Sequence, residues 1–119
     1  MALRSLIVDD NAHFLQAARD LLERQGMVVV GVASTGDEAL QRAEELRPDV
    51  VLLDIDLGAD DGFDVARRLA LASGLEQTRV VLISTYDEKD FADLIAASPA
   101  AGFVTKTDLS RQAICELLA

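Results

Sequence analysis

At 119 residues, half of them apolar, the chain suffices for one packed domain over residues 1–119 and has no room for a second. Its 21 acids against 11 bases give a formal charge of -10, which repels polyphosphate and argues against direct binding of nucleic acid or an anionic membrane. A single cysteine, Cys115, excludes an internal disulfide, and no apolar run approaches a signal-peptide core or a membrane span, so the cytoplasm is the expected location.

Ser5-Leu-Ile-Val is a short apolar run that ends in Asp9 and Asp10 and reads as a first strand. Asn11 is placed to cap the helix that follows, in which Phe14, Ala18, Leu21 and Leu22 form the inward stripe and Gly26 is the stop. His13 on that helix reads as a surface imidazole. The β-branched run from Met27 to Ala33 is a second strand. Thr35 and Glu38 have the spacing of a capping box for a helix buried through Ala39, Ala43 and Leu46, which Pro48 ends.

Val50-Val-Leu-Leu has no polar alternation, which suits a strand buried on both faces, and it runs straight into Asp54. After its loop a helix is expected from Gly62 to Ser73, with Val65, Leu69 and Ala72 inward and Gly74 closing it. Arg79 to Ile83 repeats the theme and ends in Ser84. Asp87 is a candidate cap for a fourth helix with Phe91, Leu94 and Ile95 inward. Ala101 to Lys106 reads as a short fifth strand ending in a cation. A last helix is expected from about Leu109, with Asp108 as its cap, Ile114, Leu117 and Leu118 buried, and Cys115 an inert thiol within its apolar pattern.

Five strands alternating with five helices predict a doubly wound (βα)5 flavodoxin-like sandwich, a parallel sheet of order 2-1-3-4-5 with helices on both faces. Parallel strands present their carboxyl ends to one edge, so Asp9, Asp10, Asp54, Ser84 and Lys106 should converge there. Three crowded carboxylates repel one another, so one of them must either be protonated or share a cation. A hard divalent ion such as Mg²⁺ takes one or two carboxylates and keeps places for water and a phosphate oxygen. Asp54 is then the candidate nucleophile toward a phosphoryl group, with Lys106 and the Ser84 hydroxyl neutralising charge on the transferring oxygens.

Asp9-Asp10, Asp54, Asp61-Gly62, Ser84 and Lys106, in this order and spread over the whole chain, resemble the receiver domain of two-component response regulators. The resemblance implies that Asp54 accepts phosphate from the phosphohistidine of a sensor histidine kinase or phosphotransfer protein. It implies Mg²⁺, or Mn²⁺, bound by Asp10 and Asp54 directly, by Asp9 mainly through water and by the backbone carbonyl of Asp56. Ser84 and Phe103 match the family's switch pair, although a Phe in a short apolar strand also reads simply as core. The implied output is a rearranged face of helix four, strand five and helix five, which acts on a downstream effector domain or protein or pairs two phosphorylated copies. The chain would then be a switch rather than an enzyme, assisting only its own phosphorylation and slow dephosphorylation.

Three positions depart from the family's habit: Thr107 stands where Pro is common after Lys106, Gly58 where Pro is common after Asp54, and Thr85 in place of a smaller residue beside Ser84. An alternative reading is a phosphohydrolase of the haloacid-dehalogenase type, since Asp54-Ile-Asp56 looks like that family's Asp-x-Asp motif. The motif order is wrong for it, because the acid pair here precedes Asp54 and no cap domain fits in the length.

Overall fold

Each apolar run of the sequence is a strand whose residues face two helix layers in turn. In a computed structural model that describes residues 3–119, β1 (Arg4–Val8), β2 (Val28–Ala33), β3 (Val50–Asp54), β4 (Arg79–Ser84) and β5 (Gly102–Thr105) form one sheet in the order β2-β1-β3-β4-β5. Every pairing in it is parallel. Leu6, Val8, Val51, Leu53 and Leu82 enter one apolar cluster, Ile7, Val50, Leu52, Val81 and Ile83 the other, and all are fully buried. Burial on both faces is why these runs lack polar alternation.

The first cluster is covered by α2 (Gly36–Leu46), α3 (Gly62–Leu71) and α4 (Ala92–Ala96), the second by α1 (Ala12–Arg24) and α5 (Arg111–Leu118). The expected caps of the first two helices hold. Asn11 accepts from the Phe14 backbone N–H at 3.1 Å, and Thr35 accepts from that of Glu38 at 3.1 Å. The Glu38 carboxylate reaches back to the backbone N–H of Ser34 at 2.7 Å, one residue earlier than a standard capping box would have it. Arg47, with φ 47°, turns the chain out of α2 ahead of Pro48.

The second half of the chain departs from the sequence expectation at two helices. Asp87 makes no capping hydrogen bond; a 3₁₀ turn over Glu88–Phe91 comes first, and α4 is only five residues long. Phe91 and Ile95, four apart, therefore pack on the core, while Leu94 points outward and is 55% exposed. Pro99 lies just beyond and discourages further helix.

Asp108 likewise does not cap α5. Residues Lys106–Asp108 form a 3₁₀ turn, and the cap is Ser110, whose hydroxyl accepts from the Ala113 backbone N–H at 3.0 Å. Ile114 is fully buried, but Leu117, Leu118 and Cys115 are only half-buried. Ser110→Ala should therefore cost about 1 kcal/mol in urea denaturation, and Asp108→Ala less than about 0.5 kcal/mol. The reverse ranking would return the cap to Asp108.

Candidate functional site

The site is assembled by strand register. Val8 pairs with Leu53, Asp54 with Ile83, and Ser84 with Thr105, so the chain leaves β1, β3, β4 and β5 at nearly one level. Asp9 follows β1, Asp54 closes β3, Ser84 closes β4 and Lys106 follows β5. Together with Asp10 and Asp56 they line a cleft of about 270 Å³, so the convergence expected from the topology is met. Carboxylate oxygens of Asp9, Asp10 and Asp54 lie within 4.8 Å of one another.

Asp54 is buried, and both its oxygens are engaged. Oδ1 accepts from the Asp56 backbone N–H at 3.1 Å and Oδ2 from the Lys106 ammonium at 3.2 Å. Burial pushes its carboxyl up from the ordinary 3.8 to about 6; the Asp56 N–H opposes the rise, the Asp9 charge adds to it, and Lys106 opposes it. Asp9 is fully buried, with Oδ1 accepting from the Asn11 backbone N–H at 2.8 Å. Its Oδ2 stands 2.6 Å from the Lys106 ammonium as an ion pair and has no assigned hydrogen-bond partner among the described residues. Burial works against the charge of Lys106, but Asp9 and Asp54 outweigh it and hold the ammonium above its ordinary pKa.

The three grouped carboxylates and the Lys106 ammonium sum to two net negative charges when all are ionised, and the Asp56 carboxylate also lines the cleft. The donors are all hard oxygens, and one of them, Asp9 Oδ2, is buried without a hydrogen bond. Such a set fits a small divalent cation better than a further organic cation. Asp10 is exposed, as an oxygen ligand open to exchange with solvent should be.

Ser84 is buried, and its hydroxyl oxygen accepts from the Tyr86 backbone N–H at 3.0 Å, which leaves its proton free to donate. Phe103, in β5 opposite Leu82, is turned into the core against the α3 and α4 layer. Gly58 takes φ +74°, and a Cβ there would stand 3.0 Å from Asp10 Oδ2, so the residue suits both the turn and the space. No cis peptide bond occurs among the described residues, Lys106–Thr107 included. His13 is exposed and outside the cleft, as expected.

Two features were not legible in the sequence. A two-residue ladder pairs Asp56–Leu57 with Asp60–Asp61 and folds the loop after Asp54 back toward α3, where Asp61 accepts from the Phe63 N–H at 2.9 Å. Phe14, which the helical pattern assigns to the core stripe, has its ring 4.4 Å from the Lys106 ammonium. Helical spacing alone could not have separated these two roles.

A family model of the response regulator receiver domain matches residues 5–119. The chain belongs to that family. This receiver is 34% identical over 105 residues to the response regulator GacA of Pseudomonas viridiflava, covering 87% of this chain and 48% of the relative. It is 41% identical over 103 residues to protein-glutamate methylesterase/protein-glutamine glutaminase 5 of Myxococcus xanthus, covering 86% of this chain and 28% of that protein. The response regulator domain of Thermotoga maritima CheB superposes with a TM-score of 0.79 at 32% identity, covering 99% of the receiver and 92% of that chain. The receiver thus spans half or less of the length of these curated relatives. Among the described residues, no helix is long and apolar enough to cross a membrane.

Proposed function

We propose that this receiver is a phosphoacceptor switch in which Asp54 takes a phosphoryl group from the phosphohistidine of a sensor histidine kinase or phosphotransfer protein. The observation that supports it is the buried Asp54 carboxylate, grouped with Asp9 and Asp10 and bonded to Lys106 at 3.2 Å. An Asp54 oxygen forms the new P–O bond as the P–N bond to the donor breaks, and the departing imidazole takes up a proton. Asp54 needs no general base, because it is ionised above about pH 6.

Asp10 and Asp54 would hold Mg²⁺ or Mn²⁺ by carboxylate oxygens, Asp9 mainly through water and Asp56 by its backbone carbonyl; when bound, the ion supplies positive charge to the phosphoryl oxygens. Lys106 transfers its ammonium from the two carboxylates to a phosphoryl oxygen, and Ser84 donates its free proton to another. Ser84 and Phe103 form the switch, with the ring held inward by packing alone because Phe has no hydroxyl. The face of α4, β5 and α5 carries the change to an effector domain or protein, or to a second phosphorylated copy. We place this in the cytoplasm, with catalysis limited to the receiver's own phosphorylation and slow dephosphorylation.

Beryllofluoride with Mg²⁺ tests the reading by amide NMR. Shifts should extend from the cleft through α4, β5 and α5. Shifts confined to the loops around residues 9–11 and 54–61 would contradict a switch on that face.

A further inference from the structure

Lys106 carries the positive charge of the site on a four-carbon stem that rotates freely unless something holds its end. Among the described residues its ammonium meets Asp9 Oδ2 at 2.6 Å, Asp54 Oδ2 at 3.2 Å and the ring of Phe14 at 4.4 Å from the centroid. The two carboxylates belong to the acid cluster that a divalent ion would claim. The aromatic ring is the one contact for which no cation bound by the acids competes.

Phe14 sits in the first turn of α1, where Asn11 caps the backbone N–H of Phe14 itself and also donates to Asp9. The capping geometry therefore ties the Phe14 backbone, from which the ring projects, to the acid that Lys106 pairs with. The ring is half-buried and packs against the apolar cluster under α1 and α5, while the lysine side chain is 15% exposed. A cation at 4.4 Å from an aromatic centroid lies within the range where the ring quadrupole attracts it.

We infer that Phe14 is a positioning residue: its ring holds the Lys106 ammonium at the cleft wall when the carboxylates are occupied elsewhere, ready to meet the incoming phosphoryl oxygen. This rests on the phosphoacceptor reading for its consequence but not for its geometry. A held ammonium meets developing charge without first being ordered, which is how a preorganised group accelerates a transfer.

Two readouts on the intact receiver test it. In the metal-free protein, the ring current of Phe14 should move the Lys106 ε-methylene protons upfield, and Phe14→Leu, similar in bulk and apolarity, should remove that shift. With Mg²⁺ and phosphoramidate, Phe14→Leu should label about two- to fivefold more slowly, the range expected for losing an exposed to half-buried cation–aromatic contact. Phe14→Trp should match or exceed the parent rate, and stepwise fluorination of the Phe14 ring should slow labelling progressively as its face loses negative character.

A folded Phe14→Leu protein that labels at the parent rate would overturn the inference, as would fluorinated rings that all label alike; both make Phe14 packing and nothing more. If the parent protein itself takes no label, the phosphoacceptor reading fails, and the ε-methylene shift alone then decides whether Phe14 holds Lys106. An absent shift in the parent overturns the placement.

Discussion

Asp54→Asn should remove phosphoryl labelling entirely and, in the metal-free protein above pH 6, raise the melting temperature by several degrees. Burial, with the Asp9 charge adding to it, pushes the parent carboxyl up from 3.8 to about 6. Between those values the folded chain binds more protons than the unfolded chain, so stability from this group is full at low pH and is lost as the pH rises through 6. Asparagine keeps the shape and an acceptor for Lys106 without the charge. The gain should be about 2 kcal/mol at neutral pH, allowing for water in the open cleft, and should vanish toward pH 4. Melting curves of both proteins across pH 4–8 measure it. Parallel curves at all pH values would mean that Asp54 is not crowded.

Gly62→Ala should be the most destabilising single-methyl change in the chain. A Cβ at residue 62 would press on the Asp54 carbonyl oxygen and stand 2.5 Å from Ile55 Cα and 2.8 Å from the Ile55 carbonyl carbon, all of them backbone. No side chain can move aside to relieve the contact. The Gly62 N–H also donates to the Ile55 carbonyl at 2.9 Å, so shifting the helix start breaks a hydrogen bond. We expect a loss of roughly 3 kcal/mol or more in urea denaturation, with weaker metal binding as β3 is displaced. A loss below about 1 kcal/mol would show that the loop yields more easily than its packing indicates.

The sheet and its edge were legible because the information is local. Val50 to Leu53 and Val80 to Ile83 are apolar without interruption, and only a strand covered on both sides makes use of that. Once five such runs alternate with helices, the common edge follows from handedness, and Asp9, Asp54, Ser84 and Lys106 meet without any pairwise signal between them. What stayed hidden depends on contacts between distant segments. The phase of α4 is set by where the 3₁₀ turn before it ends, so the sequence could not distinguish Leu94 from Ile95 as the inward residue. Ser110 rather than Asp108 caps α5 because Lys106–Asp108 is itself a turn. The Phe14 ring reads as helix stripe until β5 delivers a lysine beside it.

Two exposed apolar side chains, Tyr86 and Leu94, lie in the segment that follows Ser84. Tyr86 is 62% and Leu94 55% exposed, and Tyr86 stacks at a tilt on Phe91, with ring centroids 6.3 Å apart. These rings lie within the β4–α4 connection, the segment that joins Ser84 to α4.

On the proposed function, Asp9, Asp10 and Asp54 act as one cation-dependent phosphoacceptor site. Mapping the adduct formed from acetyl phosphate by peptide mass spectrometry, with Mg²⁺ and with EDTA, tests it most directly. A single acid-anhydride phosphate on Asp54, present with Mg²⁺ and lost with EDTA, is the expected result. Labelling at another residue, or equal labelling of Asp54 without a divalent ion, would contradict it.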